Sequence, residues 1–104
     1  MNTPADHYKE QILKIIFQFL NKDQIDVILF GSMATEKQTQ HSDIDIGIFS
    51  SHTNSTFESS LARINEAFEE SNIPYKIDLI NLNSAKEEFK TVALKDKIIW
   101  HQKK

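Results

Sequence analysis

Asp43-Ile44-Asp45-Ile46-Gly47-Ile48-Phe49 alternates carboxylate or glycine with isoleucine. A period of two belongs to an extended chain, in which successive side chains point to opposite faces. Ile44, Ile46 and Ile48 therefore face a core, while Asp43, Asp45 and Gly47 share the other side. A strand with one apolar and one acidic face belongs to a sheet covered on one side and left for function on the other.

Upstream, Asp26 to Phe30 reads as a short apolar strand ended by Gly31, and Ser32 to Gln40 has no period of its own and reads as a loop. Before it, Tyr8, Ile12, Ile15, Ile16, Phe19 and Leu20 recur at three- and four-residue spacings, which predicts a helix that starts near Thr3 and Pro4. Downstream, Phe57, Leu61, Ile64 and Phe68 predict a second helix, capped by Asn54 or Ser55. Pro74 ends that connection. Tyr75 to Leu82 is a third strand, with Ile77 and Leu79 facing opposite to Lys76, Asp78 and Ile80. Ser84 followed by Glu87 is a capping-box signature for a third helix carrying Phe89, Val92 and Ala93 or Leu94 inward. Ile98 to Trp100 closes the sheet or packs at a subunit boundary. This order predicts an α/β fold with a mixed β-sheet and helices packed on one face, as a single domain over residues 1–104.

Composition narrows the function. The chain has 104 residues, 39% of them hydrophobic, with two Gly and two Pro, so it has the apolar content for one core and no low-complexity linker. Twelve basic against fifteen acidic residues give a net charge of -3, which argues against direct nucleic-acid binding. Without cysteine there is no disulfide, thiol nucleophile or cysteine-based metal site. The apolar runs are too short to cross a bilayer, and Met1 to Glu10 lacks the apolar core of a signal peptide, so the reading is cytoplasmic with no membrane partner.

Asp43 and Asp45 project from one face with backbones about 6–7 Å apart. Two carboxylates about 4 Å apart repel by roughly 4 kcal/mol at an effective dielectric near 20, which a bound cation reverses. Oxygen-only donors suit Mg²⁺, and Asp78 on a neighbouring strand could supply a third. Carboxylates so placed can hold two ions about 3.5–4 Å apart, the arrangement that phosphoryl or nucleotidyl transfer uses. Gly31 and Ser32, between a strand and a possible helical turn, offer backbone N–H groups and a hydroxyl to a phosphate. The plainer alternatives are a solvated acidic pair and a glycine that only relieves a turn.

Gly31-Ser32-Met33-Ala34, followed by Ser42-Asp43-Ile44-Asp45-Ile46 and later by Tyr75-Lys76-Ile77-Asp78-Leu79-Ile80, resembles the signature of the polymerase-beta-type nucleotidyltransferases. Within that superfamily the chain looks like a minimal nucleotidyltransferase (MNT) domain. The resemblance implies a nucleotidyltransferase-like fold in which Gly31 and Ser32 contact the triphosphate. It also implies that Asp43, Asp45 and Asp78 are the catalytic ligands of Mg²⁺, in two ions. The implied reaction moves a nucleoside monophosphate, AMP from ATP, to a hydroxyl. Minimal domains of this kind are similar to the antitoxin half of toxin–antitoxin modules, where the acceptor is a tyrosine of a helical HEPN toxin; a homo-oligomer is compatible with the sequence. Met33 stands where many relatives carry a basic residue and Glu36 where many carry a second glycine. Both favour the alternative of a non-catalytic module that covers a helical partner. Lys37 could restore the missing charge.

Other constellations are weaker. His7, His41, His52 and His101 are scattered, with no helix-spaced metal pair, and only His41 is near the acidic pair. The acidic stretch lacks the glutamate of a calcium loop. Trp100 suits either an interface or the edge of the protein's own core.

Overall fold

Ile44, Ile46 and Ile48 are fully buried at the strand period, and Ile12 and Ile16, four residues apart, are fully buried at the helical one. Burial of each such side chain contributes about 1.5–3 kcal/mol, so these two periodicities fix which faces meet. The computed structural model describes residues 4–30, 44–52, 55–87 and 97–103. Helix α1 is Pro4–Phe19 and strand β1 is Ile25–Phe30. Strand β2 is Ile44–Ser50 and helix α2 is Ser55–Glu70. A single 3-10 turn, Lys22–Gln24, precedes β1, and strands β3, Ile77–Asn81, and β4, Ile98–His101, follow α2. None of the described helices is long and apolar enough to cross a membrane.

The four strands form one sheet in the order β3-β2-β1-β4. β1 runs antiparallel to both β2 and β4, whereas β2 and β3 are parallel, so the sheet is mixed as the sequence predicts. Parallel neighbours need a long crossover, and α2 supplies it between β2 and β3. Ile12 and Ile16 of α1 join Phe57, Leu61, Ile64 and Phe68 of α2 in a core over one sheet face, with Val27, Leu29, Ile77 and Trp100. Trp100 therefore fills the edge of the protein's own core. β4 is held in place by its C-terminal end. The His101 ring pairs through Nε2 with the Lys22 carbonyl at 2.7 Å and lies edge-on to Phe17, while the Lys103 N–H donates to Asp26 at 2.8 Å.

Boundaries shift where local chemistry intervenes. Residues 74 and 75 form a bend and β3 begins at Ile77, not at Tyr75, because Pro74 has no N–H for the ladder. Ser84 does not open a helix directly. Its N–H and hydroxyl both donate to the Asn81 carbonyl at 3.3 Å in a turn. The remainder of the expected third helix, with Phe89, Val92, Ala93 and Leu94, lies outside the described residues, as do Asn54 and Thr3.

The second sheet face is not bare. Ile28, Phe30 and Leu82 are buried there, with Phe49, Ile80 and Ala85 against them. Gly47 makes this possible, since a Cβ on it would strike the Leu82 side chain, coming within 2.8 Å of Cγ, and the Phe30 ring at 2.9 Å. Asn83 locks the turn that carries Leu82. Its side-chain oxygen accepts from the Ser50 N–H at 2.7 Å and its amide donates to the Ser50 carbonyl at 3.0 Å, so a side chain continues the ladder on β2 past the end of β3.

Gly47→Ala is expected to lose about 1–3 kcal/mol in urea unfolding through overpacking, and combining it with Leu82→Ala should cost less than the two single changes added. Asn83→Ala, which leaves both Ser50 backbone groups without this partner, is expected to lose about 1–3 kcal/mol in the same assay.

Candidate functional site

Register decides what stands beside what. Phe30 on β1 is the Cα partner of Asp45 on β2, and Asp45 is the Cα partner of Asp78 on β3. Ile44 and Ile46 go into the helix-covered core, so Asp45 emerges on the opposite face; Ile77 likewise sends Asp78 to that face. Directly opposed residues on neighbouring strands have Cβ atoms about 5 Å apart, which brings the two carboxylates to one place. The next row, Ile28, Gly47 and Ile80, is apolar, and Leu82 and Phe30 close over Gly47. The acids therefore stand at the margin of an apolar floor.

Hydrogen bonds pin this register at both ends. The Ile44 N–H donates to the Lys76 carbonyl at 2.9 Å, and the Leu82 N–H donates to the Ile48 carbonyl at 3.0 Å. Lys76, two residues before Asp78 and on its side of β3, puts Nζ 3.9 Å from Asp78 Oδ1. Lys76 is largely exposed, so the pair is weak and solvent-screened. The two-residue spacing of Lys76 and Asp78 is the sequence signal for this pair.

Asp45 and Asp78 are thus brought together. Asp43, Gly31, Ser32, Met33, Glu36, Lys37 and His41 lie outside the described residues. Segment 31–43 is joined to the sheet through Phe30 and Ile44, at the end where the two carboxylates stand. Of the histidines, His52 Nδ1 meets Ser51 Oγ at 3.0 Å and His101 is tied to Lys22, so both are accounted for away from the acids. Among the described residues no cluster of three or more His, Cys, Asp or Glu could hold a metal. Two facing carboxylates are nevertheless a hard, oxygen-only donor set, the type Mg²⁺ accepts along with water and substrate phosphates.

Comparison with known proteins gives consistent results. The family model described as "Polymerase beta, Nucleotidyltransferase" matches residues 10–104. A probable protein adenylyltransferase MntA of Haemophilus influenzae is 32% identical over 92 residues, covering 88% of this chain and 78% of that protein. A crystal structure of a toxin–antitoxin with AMP-PNP has a TM-score of 0.72 at 22% identity, over 88% of this chain and 71% of the other. A tri-AMPylated Shewanella oneidensis HEPN toxin in complex with an MNT antitoxin gives 0.60 at 19% identity, over 92% and 71%. At those identities the structures show a shared nucleotidyltransferase-like fold.

Removing one of two facing like charges should relieve repulsion. Asp78→Asn is expected to raise stability in chelator by about 0.2–1 kcal/mol, and a Tm increase in millimolar Mg²⁺ is expected for the parent chain and a smaller one for the variant. Thermal unfolding with and without Mg²⁺ measures both.

Proposed function

Because this chain belongs to the polymerase beta nucleotidyltransferase family, we propose that it acts as an antitoxin-type protein adenylyltransferase, moving AMP from ATP to a tyrosine hydroxyl of a helical HEPN partner. The single observation that carries this reading is the Asp45–Asp78 pairing across β2 and β3. Asp43, Asp45 and Asp78 hold Mg²⁺, and Gly31 and Ser32 hold the triphosphate. Residues 1–104 work as one domain, in the cytoplasm.

When bound, Mg²⁺ lowers the pKa of the attacking hydroxyl and neutralises the departing pyrophosphate. The chain's own residues orient the reactants. In the transfer, an acceptor oxygen forms a bond to the α-phosphorus, the bond to the bridging oxygen of the β-phosphate breaks, and the hydroxyl proton is lost to solvent. Asp78 lies on the outer strand of the pair, the side from which an acceptor can approach. Phe30 and Leu82 exclude water from beneath the carboxylates. The relatives' printed descriptions, an adenylyltransferase and an AMPylated toxin held by an MNT antitoxin, favour AMP and a protein acceptor.

Incubated with ATP, Mg²⁺ and the protein encoded by the adjacent gene, the chain should add the mass of AMP to that protein. Asp45→Asn should slow transfer at least about a hundredfold, the effect of losing a few kcal/mol of metal-borne stabilisation. No mass gain despite nucleotide binding would reject the reading. Inhibition of the partner without ATP, and equally by Asp45→Asn, would assign the chain to non-catalytic binding instead.

A further inference from the structure

Lys76 is a cation that the fold places beside the acidic row. The Ile44 N–H donates to its carbonyl at 2.9 Å, so the β2–β3 ladder runs on through Lys76, and the strand period puts its side chain on the face of Asp78 and Asp45. Two facing carboxylates repel, and the Lys76 Nζ, 3.9 Å from Asp78 Oδ1, offsets that repulsion. The contact is loose. The Lys76 side chain is 72% exposed and that of Asp78 41%, so solvent screens the pair and the ammonium leaves at little cost. The groove between α2 and β3 that Lys76 and Asp78 line also contains Asn65 and Glu69, so a released ammonium stays among oxygen acceptors.

We propose that Lys76 competes with the divalent ion for Asp78, acting as a tethered counter-ion in the ion-free chain and setting the Mg²⁺ concentration at which the site fills. This rests on the metal assignment in the transferase reading above and adds its regulation. A carboxylate that holds a divalent ion cannot also keep an ammonium beside it without repulsion between the two cations. Mg²⁺ takes carboxylate oxygens at about 2.1 Å, far closer than the lysine stands, and carries twice its charge. Lys76 therefore yields once the ion is abundant. An arginine in its place would grip both carboxylate oxygens through its planar fork and yield less readily, whereas a neutral side chain would offer no competition. A weak, exposed pair is the intermediate case, which raises the threshold for the ion without closing the site.

The test is the apparent Mg²⁺ Kd of the full chain without nucleotide, read from the rise of Tm with Mg²⁺ concentration. Lys76→Gln should lower this Kd about two- to fivefold at low ionic strength, and the difference from the parent should shrink in high salt. Lys76→Arg should not lower it. Lys14→Gln makes the same change in net charge on an exposed position of α1, the helix that packs on the other sheet face, and should leave the Kd unchanged. A Kd unchanged or raised by Lys76→Gln, or lowered equally by Lys76→Arg or Lys14→Gln, would overturn the competition. So would a parent Tm that does not respond to Mg²⁺. AMP transfer to the adjacent gene's protein, measured on the same samples, separates the two readings. Transfer alongside any of those outcomes leaves the transferase reading standing, and absence of both transfer and a Mg²⁺ response overturns both.

Discussion

The parallel pairing of β2 with β3 is the constraint on which the other features depend. A shift of one residue would turn either Asp45 or Asp78 into the helix-covered core and bring an isoleucine out in its place. Burying an ionised carboxylate among Ile44, Ile64 and Ile77 would cost several kcal/mol or force its protonation. The isoleucines therefore hold the acids in register more firmly than any contact between the acids could. Parallel strands also require α2 as their connection, and its Phe57, Leu61, Ile64 and Phe68 complete the core that enforces the register.

The two faces of the sheet do different work. On one, large branched side chains from both helices fill the space and supply most of the burial. On the other, a small apolar cluster under Leu82 supports a polar site that need not be stable in itself. Gly47 marks the compromise, giving up strand propensity so that Leu82 and the Phe30 ring can come down onto the backbone beside the carboxylates. Asn83 then holds that arrangement to the last residue of β2.

Local patterns were legible in the sequence and long-range ones were not. The isoleucine alternation at positions 44, 46 and 48 and the spacing of Phe57 to Phe68 gave elements and faces, because periodicity reports which side of an element is buried. Strand order and the direction of β3 depend on contacts between distant segments, which no periodicity encodes. The reason for a glycine at 47 lies in residues 30 and 82, and the Asn83 clamp spans 33 positions. β3 is shorter than the expected Tyr75 to Leu82 at both ends, because Pro74 sets the backbone beside the strand-like Tyr75 and Leu82 already belongs to the turn that Asn83 holds. Of the site, the strand period and the resemblance together single out Asp43, Asp45 and Asp78; Asp45 and Asp78 stand side by side, whereas Asp43, Gly31 and Ser32 lie outside the described residues.

Trp100 is the sole tryptophan of the chain, buried in the core beneath the helices, and its indole Nε1 has no hydrogen-bond partner among the described residues. An indole in apolar surroundings emits at shorter wavelength than one in water. The protein thus carries a single intrinsic fluorophore on the strand furthest from β3, whose colour follows the seating of β4 and the integrity of the core, and is remote from events at the acidic row.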